Sequence, residues 1–516
     1  MQTENNLKPS QRVHSENDPR RVGTVKYIGP LEGYTGVWVG VDWDGGDAKH
    51  DGSLNGTRYF QARSNNSGSF LRPNSLRAGI SFLEALNRRY CEDQTDENED
   101  EMYVLTTSNK HISVKLVGKD KIRDKISRFS ELTTVSLSSM GVCGAGDADK
   151  IKSTVPNIKE LDLSRNLLAK WKDVEAICER LPQLQLLNLS NNLMDPIVSL
   201  NSHLISIRIL VLNNTGLSLN SVELVEHLLP SMEELHLVGN FIAQIEPKNS
   251  SFVEGFESLK ILNLDDNLLA DWDEVLKLSF LPRLEQLHVD KNKLKQIEYP
   301  QNNTTPFKTL RCLLLGGNNI NHLSSVDSLN MFPQLLETRL SENPVTDLSK
   351  GGLPRYVLIA LLPKIKVLNG SQVSIRERKD SEIRYVRRVL TSCEGDIINK
   401  QHPRYSELKR LHCIEEEGTT VNVSGPQKMS SGLITLTLKF VGPSGSHKQP
   451  LVKKLPAATS VGKLKMLCES FFKVECGKLK VFLQEAGSPL PAFLGDDFAS
   501  LLDVGVADDS VILLDE

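Results

Sequence analysis

Leu259-Lys260-Ile261-Leu262-Asn263-Leu264-Asp265-Asp266-Asn267-Leu268-Leu269 reads Leu-x-x-Leu-x-Leu-x-x-Asn-x-Leu, and this spacing decides the fold of the middle of the chain. Alternation puts Leu262 and Leu264 on one face of a short strand. Asn267 falls where the chain turns out of that strand, and its amide can bond the backbone groups left open there. The same line recurs at Ile158 to Leu168, Leu184 to Asn192, Met232 to Ile242, Leu284 to Leu294, Leu310 to Ile320 and Leu335 to Val345. The Asn positions step by 23 to 27 residues if the degenerate copy Ile207-x-x-Leu210-x-Leu212-x-x-Thr215-x-Leu217 is counted. Thr215 can do the work of Asn only in part. Leu132-x-x-Val135-x-Leu137 is a weaker first copy.

One such unit cannot bury its apolar face alone, so neighbours must stack into a curved solenoid. Segments such as Trp171–Leu181 carry helical spacing and belong on its convex side. The pattern is that of a leucine-rich-repeat α/β solenoid over 130–370, ending in the short strand of Lys366-Val367-Leu368-Asn369-Gly370. His236 and His288 each follow a buried-type Leu at equivalent positions and are expected on the concave face, facing solvent.

Upstream, 18–80 is dense in Gly and aromatic residues: G-T-V-K-Y-I-G from Gly23, G-V-W-V-G-V-D-W-D from Gly36, then Ala48-Lys49-His50-Asp51-Gly52. Gly permits positive φ and close backbone approach, while Trp and Phe add rigid contact area. A small β-barrel with an aromatic groove and a cation at its lip is expected. Residues 1–17 are polar and read as disordered. Ile80–Tyr90 is a short amphipathic helix leaving the barrel, followed within 81–129 by the acidic run 92–101. That run reads as a solvated linker, or alternatively as an acidic mimic competing for the basic groove.

Beyond the solenoid, 371–429 holds the charged helix Ile375–Leu390, either a cap on the open solenoid end or a free partner-binding helix. Residues 430–516 read strand, strand, helix, strand, strand, and suggest a ubiquitin-like β-grasp. The chain ends Leu514-Asp515-Glu516 without Gly-Gly, which points to a docking module rather than a conjugated modifier. The fold class is thus multidomain α+β.

Composition narrows the function. The chain has 516 residues, too many for one core, and a net charge of −4, which argues against a general nucleic-acid binder. The eight cysteines are scattered without a CxxC pair, so zinc is not expected, and they read as reduced cytosolic thiols. The polar start of the chain does not read as a signal peptide, and no stretch reaches the ~20 apolar residues of a membrane span. The sequon-like Asn213-Asn214-Thr215 sits inside a repeat and means nothing without secretion. A cytoplasmic protein is expected. No Walker loop, HExxH or GxSxG occurs, so neither an enzyme nor a bound cofactor is expected.

The N-terminal module resembles the CAP-Gly domain. The likeness rests on Gly23, Val25, Tyr27, Gly29, Gly36, Trp38, Gly40, Asp44, Lys49-His50-Asp51-Gly52, Gly56, Tyr59-Phe60, Gly68, Phe70, Arg72 and Pro73. The family signature is Gly-Lys-Asn-Asp-Gly; here Ala48 replaces the first Gly and His50 the Asn. A CAP-Gly domain, leucine-rich repeats and a ubiquitin-like domain in this order are similar to the tubulin-folding cofactor E family. Val41-Asp42-Trp43-Asp44 and His402-Pro403-Arg404-Tyr405 add to that likeness.

The resemblance implies a tubulin-folding chaperone. It implies binding to α-tubulin, and action with tubulin cofactors B, C and D and β-tubulin in assembling and dismantling the αβ heterodimer. It implies a groove for an acidic α-tubulin tail: Trp38, Trp43 and Phe70 as apolar floor and walls, Lys49 and Arg72 as cations, His50 and Asp51 in the signature loop, Gly52 allowing close approach. Imidazole can donate as Asn does and gains charge in mild acid, so tail affinity is expected to rise there. If the backbone at Ala48 needs positive φ, Ala costs about 1–2 kcal/mol. Over 18–80, eight Lys and Arg face six Asp and Glu, so any cationic effect must be local. A rival of another class is a CAP-Gly adaptor linking microtubule ends to cargo through its repeats, although no sustained heptads are present. A third, a ubiquitin-pathway enzyme, lacks a catalytic Cys/His context.

Overall fold

The computed structural model describes residues 7–90, 103–105, 111–113, 129–196, 202–247, 251–300, 305–392, 404–413, 433–441, 449–457, 459–472, 479–484, 491–494, 501, 504, 506 and 508–515. The acidic run 92–101 and His402-Pro403 lie outside them. The chain forms two compact units, residues 1–319 with 332–335, and 320–331 with 336–516.

The first unit begins with the barrel. Its five-stranded sheet runs in the order Gly68–Leu71, Tyr34–Trp43, Val22–Leu31, Arg12–Ser15, Leu76–Ala78. Val13, Val25, Val39, Val41, Trp43 and Leu76 close its core. The stretch expected to be disordered therefore contributes from Leu7 onward. Arg12–Ser15 pairs with strands on both sides, and Arg12 forms an ion pair with Asp44. A polar composition hid a strand whose inward residue is Val13.

The end of the barrel pairs with the start of the solenoid. Ile80–Ser81 pairs in parallel with Val142–Gly144 of the first repeat. The helix that follows, Phe82–Tyr90, buries Phe82, Ala85 and Leu86 completely. Tyr90 Oη accepts from the Ser136 amide at 3.2 Å. The helix expected to lead away from the barrel instead covers the open end of the solenoid, where the first repeat has no neighbour.

Eight three-residue strands, from Thr134–Ser136 to Cys312–Leu314, stack in parallel and in strict register. Val135, Leu161, Leu187, Leu210, Leu235, Leu262, Leu287 and Leu313 face one another across the ladder and are buried. The Asn side chains form a second ladder beside them. Asn267 Nδ2 donates to the carbonyls of Leu237, Leu264 and Asp265, and its Oδ1 accepts from the amides of Asn240 and Ile242. Thr215 Oγ1 reaches only Leu212 O, at 2.9 Å, and Asn240 Oδ1. It donates nothing back to the preceding repeat, and there the Met194 amide bonds the Thr215 carbonyl instead.

In the second unit, the strand Glu337–Arg339 pairs in parallel with Val367–Leu368, and Ser371–Gln372 turns back antiparallel. The helix Ile375–Ser392 packs on the helix Arg355–Leu361 rather than standing free, burying Tyr385, Val386 and Val389. Ile375, its first residue, is 92% exposed. The C-terminal strands run in the order Leu451–Pro456, Leu433–Phe440, Ser510–Asp515, Lys480–Gln484, Ala492–Phe493, with the second and third parallel. The helix Val461–Phe472 packs Leu464 and Cys468 against that sheet. This is the β-grasp.

Candidate functional site

Three strands of the barrel build one face. Tyr27 pairs with Gly40, and Gly40 pairs with Phe70. Two residues along, Gly29 pairs with Trp38, and Arg72 follows Phe70 on the same side of its strand. Gly29 and Gly40 thus let aromatic side chains lie flat on this face, Tyr27 over Gly29 and Phe60 over Gly40, and these rings floor a shallow trough. There is no room for a side chain at Gly40, because Phe60 Cε1 lies 2.5 Å from where its Cβ would stand. Phe60 lies over Gly40 on this same face.

Rings line the trough edge to face. Tyr59 meets Tyr27 at 5.2 Å and Phe70 at 5.5 Å, Phe60 meets Phe70 at 5.4 Å, and His50 lies 5.8 Å from Phe70. Tyr27 Oη donates to the Pro30 carbonyl, and Tyr59 Oη accepts from the Glu32 amide. At the far end the Arg72 guanidinium stacks 3.9 Å over Trp38, which also meets Tyr34 edge to face. Arg72 also donates to the carbonyls of Thr35 and Val37, across a turn where Gly36 has φ +78° and leaves it space.

The signature loop is pinned to Gly68. His50 exchanges two backbone hydrogen bonds with it, and the Ala48 amide donates to Asn66 O. A Cβ on Gly68 would stand 2.6 Å from His50 O. Lys49 is exposed at the lip and forms no ion pair among the described residues. The strain expected at Ala48 is absent: positive φ falls on Gly46, at +66°, and Ala48 packs on the barrel core.

The structure redistributes the expected roles. His50, Phe70, Trp38, Arg72 and Lys49 do gather on or beside the aromatic face. Trp43 does not: it is 1% exposed, inside the core with Val39 and Val41, and Arg21 covers its ring. Asp51 faces inward to its own loop. It accepts from the Ser53 amide and pairs with Arg58 at 2.8 Å, and these bonds, Ser53 first, hold its carboxyl below the usual range. Gly52, at φ +96°, is buried against the Phe60 backbone rather than opened toward a ligand. The lining residues Tyr27, Tyr59 and Phe60 belong to the CAP-Gly likeness but were not assigned to the groove. Among the described residues no group of three His, Cys, Asp or Glu is placed to hold a metal.

Barrel, repeat solenoid and β-grasp define a multidomain protein of the CAP-Gly class. Residues 9–76 match the family model of the CAP-Gly domain and 217–389 that of the leucine-rich repeat. The chain is 53% identical to tubulin-folding cofactor E of Arabidopsis thaliana, over 98% of this chain and 97% of that one. It is 32% identical to tubulin-specific chaperone E of Xenopus laevis, covering 92% and 93% of the two chains. It belongs to the tubulin-folding cofactor E family. Among solved structures, the C-terminal ubiquitin-like domain of mouse tubulin-specific chaperone e covers 18% of this chain and 93% of its own, at 26% identity and a TM-score of 0.16.

Proposed function

We propose that this protein is a tubulin-folding chaperone whose barrel binds the acidic tail of α-tubulin along the trough between Phe70, Tyr59 and Trp38. The observation that carries this reading is the trough itself: aromatic rings packed over Gly29 and Gly40 form a partly exposed face, and an unengaged Lys49 stands beside it. Aromatic burial supplies affinity. Lys49 selects the sign of the ligand. Relatives that match about nine-tenths of the chain are named tubulin-specific chaperones, which supports tubulin as the client. Cofactors B, C and D and β-tubulin are the remaining partners, the work is cytoplasmic, and the role is binding rather than catalysis.

The test is incubation of the full chain with αβ-tubulin followed by gel filtration. A complex containing α-tubulin alone, or loss of heterodimer, supports the chaperone. Decoration of polymer without effect on the dimer supports instead an adaptor that links microtubule ends to cargo.

A further inference from the structure

The solenoid's concave face has a chemistry opposite to that of the trough. In each of the eight stacked strands, three positions point away from the core into the concavity: the residue before the central aliphatic, the one after it, and the third after it. None of these positions holds Lys or Arg. The basic residues stand one place earlier, on the rim, where Lys260 and Arg208 both bond Glu233. At the centre, Leu186, Ile209, Val211, Val238 and Ile261 lie half-exposed on successive repeats. Solvent-facing strand positions without a partner ordinarily carry polar residues. Acids border this strip: Glu160 and Asp162 on one side, Glu234 within it, Asp265 on the other. Asp162 and Asp265 are tied to local donors, Ser136 Oγ with the Ser164 amide and the Asp290 amide respectively.

We propose that this aliphatic, acid-bordered strip holds the folded body of the client through a surface segment that is apolar and flanked by Lys or Arg. The occupant follows from complementarity. An acidic tail is repelled by strand positions that carry carboxylates and neither Lys nor Arg, whereas a basic, apolar segment buries the strip and meets Glu234 within it and Glu160 and Asp265 at its edges. The trough and the concavity lie in one compact unit and select opposite charges. They can therefore engage two parts of one client, whose joint occupancy gains from effective concentration. This inference rests on the reading of tubulin as the client.

The experiment uses αβ-tubulin with its acidic tails removed by limited proteolysis, and separately a synthetic tail peptide, each titrated against the full chain. Expected is binding of tail-less tubulin that weakens with added salt and falls about tenfold or more in Ile209→Ser/Val211→Ser and in Glu160→Lys/Glu234→Lys. The tail peptide should bind both variants as it binds the parent. Circular dichroism of the charge variant, whose sites are exposed or half-exposed, separates loss of contact from loss of fold. Unchanged affinity of both variants for tail-less tubulin overturns the proposal, and so does binding of intact but not tail-less tubulin by the parent chain. Failure of the parent to bind tubulin in either form overturns the client reading as well.

Discussion

Gly52 lies directly on the backbone of Phe60: a Cβ at Gly52 would fall on the Phe60 carbonyl oxygen, and its φ of +96° suits only glycine. The Gly52 carbonyl accepts from the amides of Tyr59 and Phe60. One glycine thus ties the signature loop to the two aromatic residues that line and underlie the trough. Gly52→Ala should cost about 2–5 kcal/mol, from the left-handed backbone and the clash together. Denaturant titration followed by tryptophan fluorescence should show the barrel losing this stability, with tail-peptide affinity lost at temperatures where the parent barrel is folded.

The trough separates charge from contact. Phe70→Ala removes a ring that meets His50, Tyr59 and Phe60, and should weaken tail-peptide binding by about 30-fold or more. Lys49→Glu replaces an exposed cation and should cost about 3–10-fold, with the salt dependence of binding reduced. Isothermal titration of a tail peptide at two salt concentrations reads both. Equal loss from the two variants would contradict an affinity carried by aromatic burial.

Much of this was legible in the sequence, and the errors have definite causes. The repeat line names its own strands because the buried Leu positions and the Asn are coupled: Asn267 can satisfy the carbonyls of Leu237 and Leu264 only in that register. The β-grasp was legible for a similar reason, since Leu433–Phe440 alternates cleanly. Trp43 was misread because residue type says nothing of face. Trp38 and Trp43 differ by an odd number of positions on one strand, so they cannot share a face, and the core claims Trp43 with Val39 and Val41. Arg12–Ser15 and the capping role of Phe82–Tyr90 were missed because both depend on partners distant in sequence.

The ladder has a weak rung that can be repaired. Asn192, on the preceding repeat, donates to Leu163 O and Leu189 O, but Thr215 offers no second donor to continue the series. Thr215→Asn should add one or two buried hydrogen bonds, about 0.5–1.5 kcal/mol each. For a unit of this size that raises the melting temperature by about 2–4 °C per kcal/mol. Asn267→Ala is the opposite case. It orphans buried carbonyls and amides and should destabilise the solenoid by about 3 kcal/mol or more. Calorimetry of the two variants should show shifts of opposite sign.

Protonation gives a further handle. Burial first, with His236 adding to it, holds the His288 imidazole below its usual 6.5 against the pull of Asp290. A folded-state value below the unfolded one means that the unfolded chain takes up the proton first as pH falls. Stability contributed by neutral His288 is full above 6.5 and declines as the solution is acidified below it. Urea midpoints measured between pH 8 and pH 5 should fall in the parent and fall less in His288→Asn. An identical pH profile in the two proteins would rule out this source.

In the second unit, Glu382 holds the helices together from within. Its side chain is 7% exposed and lies 2.8 Å from His412 Nε2 and 3.8 Å from Arg404. Arg404 in turn donates to the Ala360 carbonyl, and Arg378 to those of Ile359, Leu362 and Ile365, so two guanidiniums close the C-terminal end of the helix Arg355–Leu361. Glu382→Ala leaves these cations buried without their shared anion and should cost about 3–5 kcal/mol. Glu382→Gln keeps the shape and one acceptor, and should recover part of that loss. Limited proteolysis should cut the alanine variant within 375–413 sooner than the parent, with the glutamine variant between them. Equal protection of all three would place the strength of this junction in the apolar contacts of Tyr385, Val386 and Val389 instead.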